Sequence, residues 1–116
     1  MKIYTYAKCD TCRKAVKWLK VRAIPFTEVP IREQPPTKAE LRRMLAIVGG
    51  DLKRLFNTSG GDYRELKLGE KLGGMTEAEA IDLLAGNGNL VKRPFLLAEK
   101  GGLVGFKEAE WEAFFD

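Results

Sequence analysis

At 116 residues, 45% hydrophobic and 31% charged, the chain has the size of a single domain with one core, residues 1–116, and no apolar run reaches the length that spans a bilayer. A net charge of +4, with acidic and basic residues interspersed, excludes the basic stripe of a nucleic-acid-binding surface, so neither direct nucleic-acid contact nor a membrane is expected. The chain has no histidine, which excludes Cys-His and Ser-His catalysis.

The opening run, Lys2 to Ala7, reads as a short, largely buried strand. Lys8 and Asp10 interrupt it too early for a signal peptide, so a cytoplasmic protein is expected. From Cys12 a helix follows, with Ala15, Val16, Leu19 and Ala23 completing its apolar face and Trp18 at the edge of that stripe. Ile24 to Ile31 alternates as a second strand, Pro25 at its first position and Pro30 marking an edge or an end.

Pro35-Pro36 breaks the chain, and Thr37-x-x-Glu40 is a capping box for a helix burying Leu41, Met44, Leu45 and Val48, ended by Gly49-Gly50. Asp51 caps a short helix through Phe56, and a polar loop runs from Asn57 to Gly61. Tyr63, Leu66 and Leu68 mark another packed piece. Thr76-x-x-Glu79 is a second capping box, leading to Ala80, Leu83 and Leu84 before Gly86-Asn87-Gly88 stops the helix. Phe95 to Ala98 and Leu103 to Phe106 read as a hairpin around a Lys100-Gly101-Gly102 turn. Lys107 to Asp116 is an amphipathic helix. Its Trp111, Phe114 and Phe115 close the core, and its Glu108, Glu110 and Glu112 form a solvated face. The order β-α-β, a helical middle, then β-β-α predicts a small mixed four-stranded sheet: a thioredoxin-like α/β plan with an inserted helical segment.

The only two cysteines, Cys9 and Cys12, lie at the junction of the first strand and first helix. A helix N-terminus carries unsatisfied N–H groups and a partial positive charge, which stabilise a thiolate there. Lys8, Arg13 and Lys14 add cationic charge, and the C-x-x-C spacing lets the second sulfur close a short disulfide. Other readings of the pair are half of a zinc site shared across a dimer, a structural disulfide, and two buried small apolar residues. One chain supplies no further thiol or imidazole, so no metal site within it is expected. Redox use of the thiols is the favoured reading in a cytosolic chain.

These residues resemble the arsenate-reductase family, including its Spx and YffB-like branches. The matching features are Cys9, Thr11, Cys12 and Arg13; the Lys92-Arg93-Pro94 run; Asn57-Thr58; and Gly105-Phe106 before the last helix. The resemblance covers essentially the whole chain. It implies that Cys9 is the catalytic cysteine, that Arg93 holds an oxyanion or the thiolate, and that Pro94 is the cis-proline facing the cysteine. Thr11 either caps the helix, the favoured role, or donates to an anion, and Arg13 either adds positive potential or is solvated. The family's reductases use three arginines around the oxyanion, of which only Arg93 is clearly matched. Arg54 and Arg64 stand nearby in different registers, and Lys107 is the nearest cation to the third position.

The expectation is a thiol-dependent oxidoreductase. Cys9 attacks an oxyanion or a glutathione or protein mixed disulfide, and Cys12 resolves the adduct. No cofactor is expected to be bound; glutathione, glutaredoxin or thioredoxin restores the dithiol. Two alternatives accompany it. One is an Spx-like redox-sensing regulator that binds the RNA polymerase alpha subunit, although Spx continues past its final helix with a basic tail and this sequence stops at Asp116. The other is a thioredoxin-fold domain without catalysis.

Overall fold

The computed structural model describes residues 1–116. Strands β1 (Lys2–Thr5), β2 (Thr27–Pro30), β3 (Phe95–Ala98) and β4 (Gly101–Val104) form one sheet in the order β2-β1-β3-β4. β1 and β2 are parallel and are joined by helix α1 (Asp10–Val21); β3 is antiparallel to both β1 and β4. Between β2 and β3 lie α2 (Lys38–Ile47), the short α3 (Gly61–Glu65) and α4 (Leu68–Lys71), and α5 (Glu77–Gly86); α6 (Glu108–Phe115) closes the chain. This is the expected thioredoxin-like order, with the helical segment inserted between the two halves of the sheet.

The two-residue period of a strand divides the core. Tyr4, Phe95 and Leu97 face α2 and α5, where Leu41, Met44, Leu45, Ala80, Ile81 and Leu84 are buried. Ile3 and Leu96 face the opposite way, against Ala15, Trp18 and Leu19 of α1 and Trp111 of α6. The register pairs Ile3 with Leu96 and Tyr4 with Phe95, so each cross-strand pair serves one side of the sheet. Both capping boxes form. Thr37 N–H donates to Glu40 Oε1 at 3.0 Å and Glu40 N–H to Thr37 Oγ1 at 3.1 Å, and Thr76 and Glu79 repeat the pattern at 2.9 and 3.1 Å.

Several local expectations change. Trp18 is core, not edge. It is 6% exposed and meets Trp111 edge-to-face at 5.7 Å, because α6 covers that flank of α1. Ala23 falls past the helix end in a left-handed conformation. β2 is four residues long, and Pro25 precedes it. Leu66 is exposed, whereas Tyr63 and Leu68 are buried. Gly101 and Gly102 belong to β4, since Ala98 pairs with Gly101 and the turn is Glu99-Lys100. A Cβ on Gly102 would lie 2.6 Å from Leu96 O and 2.7 Å from Met44 Cε, so this glycine lets α2 settle onto the sheet.

Candidate functional site

β1 ends beneath the start of α1, and the chain turns there with Cys9 N–H donating to Tyr6 O at 3.0 Å. Cys9 is the N-cap of α1, in extended conformation, and its Sγ accepts the Cys12 N–H at 3.2 Å. A sulfur thus takes the place of the usual capping oxygen and sits on the positive end of the helix. Both cysteines are free thiols; Cys9 is part-exposed and Cys12 is 1% exposed. Burial, then the hydrogen bond to Cys9, pushes the Cys12 thiol up to about 12, against the opposing pull of the Tyr6 backbone and the Arg93 charge. Cys12 is therefore a neutral thiol at physiological pH, one helical turn from a partly exposed sulfur.

Arg93 approaches from the segment before β3. Its Nη2 donates to Asn89 O at 2.7 Å and Gly88 O at 3.5 Å, and its Nε to Val91 O at 3.3 Å. Those carbonyls belong to a 3₁₀ turn, Gly88–Leu90, and its cap. The guanidinium also lies 5.7 Å from the Tyr6 ring centroid, whose hydroxyl accepts from Arg32 at 2.8 Å. Burial lowers the Arg93 pKa from its ordinary value, and Cys12 and Cys9 act in the other direction. The Arg93–Pro94 bond is cis and Pro94 is buried.

Cys9, Thr11 and Arg93 line one cleft of about 570 Å³, with Arg54, Lys92, Lys107 and Glu110 around them. The inserted segment is tied to this cleft by backbone. Asn57 N–H donates to Leu90 O at 2.7 Å and Lys92 N–H to Leu55 O at 2.8 Å, across a Phe56–Val91 bridge. The Asp51-capped turn Leu52–Leu55 thereby delivers Arg54.

The expected site residues divide. Cys9, Thr11 and Arg93 come together; Cys12, whose backbone N–H donates to Cys9 Sγ, is buried and borders a separate depression on the other side of α1. Thr11 is not the helix cap, because Cys9 occupies that position; its side chain is exposed on the cleft wall. Arg13 is not in the cleft. It pairs with Asp10 at 2.6 Å with its side chain 63% exposed, and borders a separate depression, because two residues on from Thr11 the helix has turned to its opposite side. Arg64 is also outside, whereas Arg54 and Lys107 are inside. Glu110 is not on a solvated face: it is half-buried and lines the cleft, in the first turn of α6, which Trp111 anchors to Gly105 O. Asp51 announced a turn around Arg54, but nothing local to Arg54, Lys92 or Glu110 showed where their side chains would meet. No group of three or more Cys, Asp or Glu side chains converges to hold a metal, and no helix is long and apolar enough to cross a membrane.

A parallel β-α-β start, an antiparallel closing hairpin and a cysteine capping the first helix, with a cis-proline before the hairpin, define a thioredoxin-fold protein carrying a helical insertion. The model of the ArsC family matches residues 4–114, and the chain belongs to that family. It is 50% identical over 109 residues to the uncharacterized protein YusI of Bacillus subtilis, covering 94% of this chain and 92% of that one. It is 32% identical over 112 residues to the global transcriptional regulator Spx 1 of Lactococcus lactis, covering 97% and 86%. Among solved structures, an ArsC family related protein from Bacteroides fragilis superposes with a TM-score of 0.91 at 48% identity, covering 97% and 94%. A possible arsenate reductase from Streptococcus mutans superposes at 0.90 with 38% identity, covering 98% and 97%.

Proposed function

We propose that the protein is a cytoplasmic thiol-dependent oxidoreductase in which Cys9 is the nucleophile and Cys12 the resolving thiol. The observation that carries this reading is the Cys9 sulfur acting as the N-cap of α1, on the wall of a cationic cleft, where it accepts the backbone N–H of Cys12, the one other thiol. With a mixed disulfide as substrate, the Cys9 thiolate attacks one sulfur, the substrate S–S bond breaks, and the other sulfur leaves as a thiolate. Cys12 then attacks the adducted Cys9 sulfur, gives up its proton, and forms Cys9–Cys12 while the second thiol departs. Two electrons have passed from the dithiol to the substrate. A reductant such as glutathione, glutaredoxin or thioredoxin returns them. With arsenate as the oxyanion, Cys9 displaces one arsenate oxygen as water to form a sulfur–arsenic bond, and attack of Cys12 on the Cys9 sulfur breaks that bond, forms Cys9–Cys12 and releases arsenite carrying the two electrons.

A neutral Cys12 leaves Cys9 as the attacking sulfur of the first step, and Cys12 must lose its proton before the second. Once Cys9 is in an adduct it carries no charge, and one of the influences holding the Cys12 proton is gone, while Arg93 still favours the thiolate. Thiol-coupled reduction of arsenate and of mixed glutathione disulfides tests the proposal. Cys9→Ser lowers turnover by at least about a thousandfold, and Cys12→Ser stops the cycle at a mixed disulfide visible by intact mass. Unchanged turnover in both Cys9→Ser and Cys9→Ala ends the proposal.

A second reading is favoured by the similarity to Spx 1 over 97% of the chain. In it, Cys9–Cys12 oxidation controls docking on the RNA polymerase alpha subunit. Oxidant-dependent co-purification with that subunit, without turnover of any disulfide or oxyanion, selects it. Slow alkylation of Cys9 together with neither activity selects a domain without thiol chemistry.

A further inference from the structure

The cleft contains one group that oxyanion chemistry does not require. Glu110 lines it beside Cys9, Arg93 and Lys107. Its backbone is held in place: Glu110 N–H donates to Lys107 O at 3.0 Å, and the adjacent Trp111 is buried with its Nε1 donating to Gly105 O at 3.0 Å. Its carboxylate is unpaired, because the ion pairs of the chain are Lys2–Glu40, Arg13–Asp10, Arg22–Glu112 and Lys38–Asp82. Arg93 is meanwhile a poor clamp for a tetrahedral dianion. Its Nε and Nη2 already donate to backbone carbonyls, which leaves Nη1 without a protein acceptor. Arg54 brings a single guanidinium fork, and Lys92 and Lys107 offer point charges, so the cations are spread along the wall rather than gathered round one tetrahedral ion. A wall with several separated cations and one unpaired carboxylate complements a ligand with carboxylates and an ammonium at different places.

We infer that Glu110 is a specificity residue: it pairs with the ammonium of a small zwitterionic peptide thiol and disfavours a compact, multiply charged oxyanion in the same cleft. The inference rests on the Cys9 exchange proposed above and names its substrate class. The chemistry is the exchange already written. Cys9 forms a bond to the peptide sulfur, the peptide's disulfide bond breaks, and the departing sulfur carries the electron pair.

The test compares the wild type with Glu110→Gln and Lys107→Gln. The first readout is the rate of Cys9 adduct formation with glutathione disulfide against its des-amino analogue, by mass spectrometry. The second is binding of inorganic phosphate by calorimetry. The wild type favours glutathione disulfide by about fivefold, and Glu110→Gln removes the preference while tightening phosphate by a similar factor. Lys107→Gln weakens phosphate. An undiminished preference in Glu110→Gln, or phosphate affinity that does not rise, overturns the inference. Movement of phosphate affinity in the same direction in both variants also overturns it, because the change then does not follow the sign of the charge removed. A wild type that forms no adduct with either disulfide ends the exchange proposal, and tighter phosphate in Glu110→Gln then still upholds the exclusion of oxyanions.

Discussion

At the scale of single residues, the two thiols differ because their solvation differs. Cys9 lies part-exposed at the helix start, whereas Cys12 is 1% exposed and holds its proton to about 12. That difference has a stability consequence. The unfolded chain releases the Cys12 proton in the ordinary thiol range, while the folded chain keeps it, so the contribution is complete below that range and is lost as pH rises toward the folded value. Above the ordinary thiol range the wild type therefore loses stability relative to Cys12→Ala as pH rises. Urea unfolding of both proteins under reducing conditions, at neutral and alkaline pH, measures the divergence. The cysteine pair could be named from C-x-x-C after a strand, a local pattern, whereas Arg93 came only from the family resemblance, because Arg-Pro at a strand start has by itself no distinctive signature. Glu110 could not, because an acidic residue on the first turn of an amphipathic helix has the same local signature whether it faces water or a cleft.

At the scale of elements, Arg93 is placed by a 3₁₀ turn that only glycine allows. A Cβ on Gly88 would lie 1.9 Å from Ile31 O and 2.7 Å from Ile31 C, both backbone atoms that have little room to yield. Gly88→Ala therefore destabilises the fold by about 3 kcal/mol. It also slows Cys9 exchange, since Gly88 and Asn89 carbonyls hold the guanidinium. Thermal unfolding and adduct-formation rates check the two effects separately. Helix starts were legible in the sequence because a capping box is a contact between residues three apart, and both predicted boxes form. Thr11 misleads for the same local reason: threonine is a good cap, yet the chain turns two residues earlier and gives the position to Cys9.

At the scale of the molecule, the sheet separates two cores, and the smaller carries α1, the helix with both cysteines. Trp111 joins α6 to α1 through Trp18 and to the hairpin through Gly105, so it supports Lys107 and Glu110 as well as the start of α1. Trp111→Ala costs about 3–5 kcal/mol and lowers the melting midpoint by roughly 10–20 °C. A calorimetric scan measures it, and a small shift would show that the smaller core is not a structural unit.

The amino-acid sequence alone determined the strand and helix order, the helix starts and the pair of cysteines at the first helix, because hydrophobic period, capping and turn chemistry act between neighbours in the chain. Folding decided what surrounds the thiol. The Phe56–Val91 bridge carries Arg54 to the cleft, and the packing of Trp111 carries Lys107 and Glu110 there, from segments some forty to a hundred residues away from Cys9. Such meetings depend on how whole elements pack, and no local pattern encodes the packing of two elements that are distant in the chain.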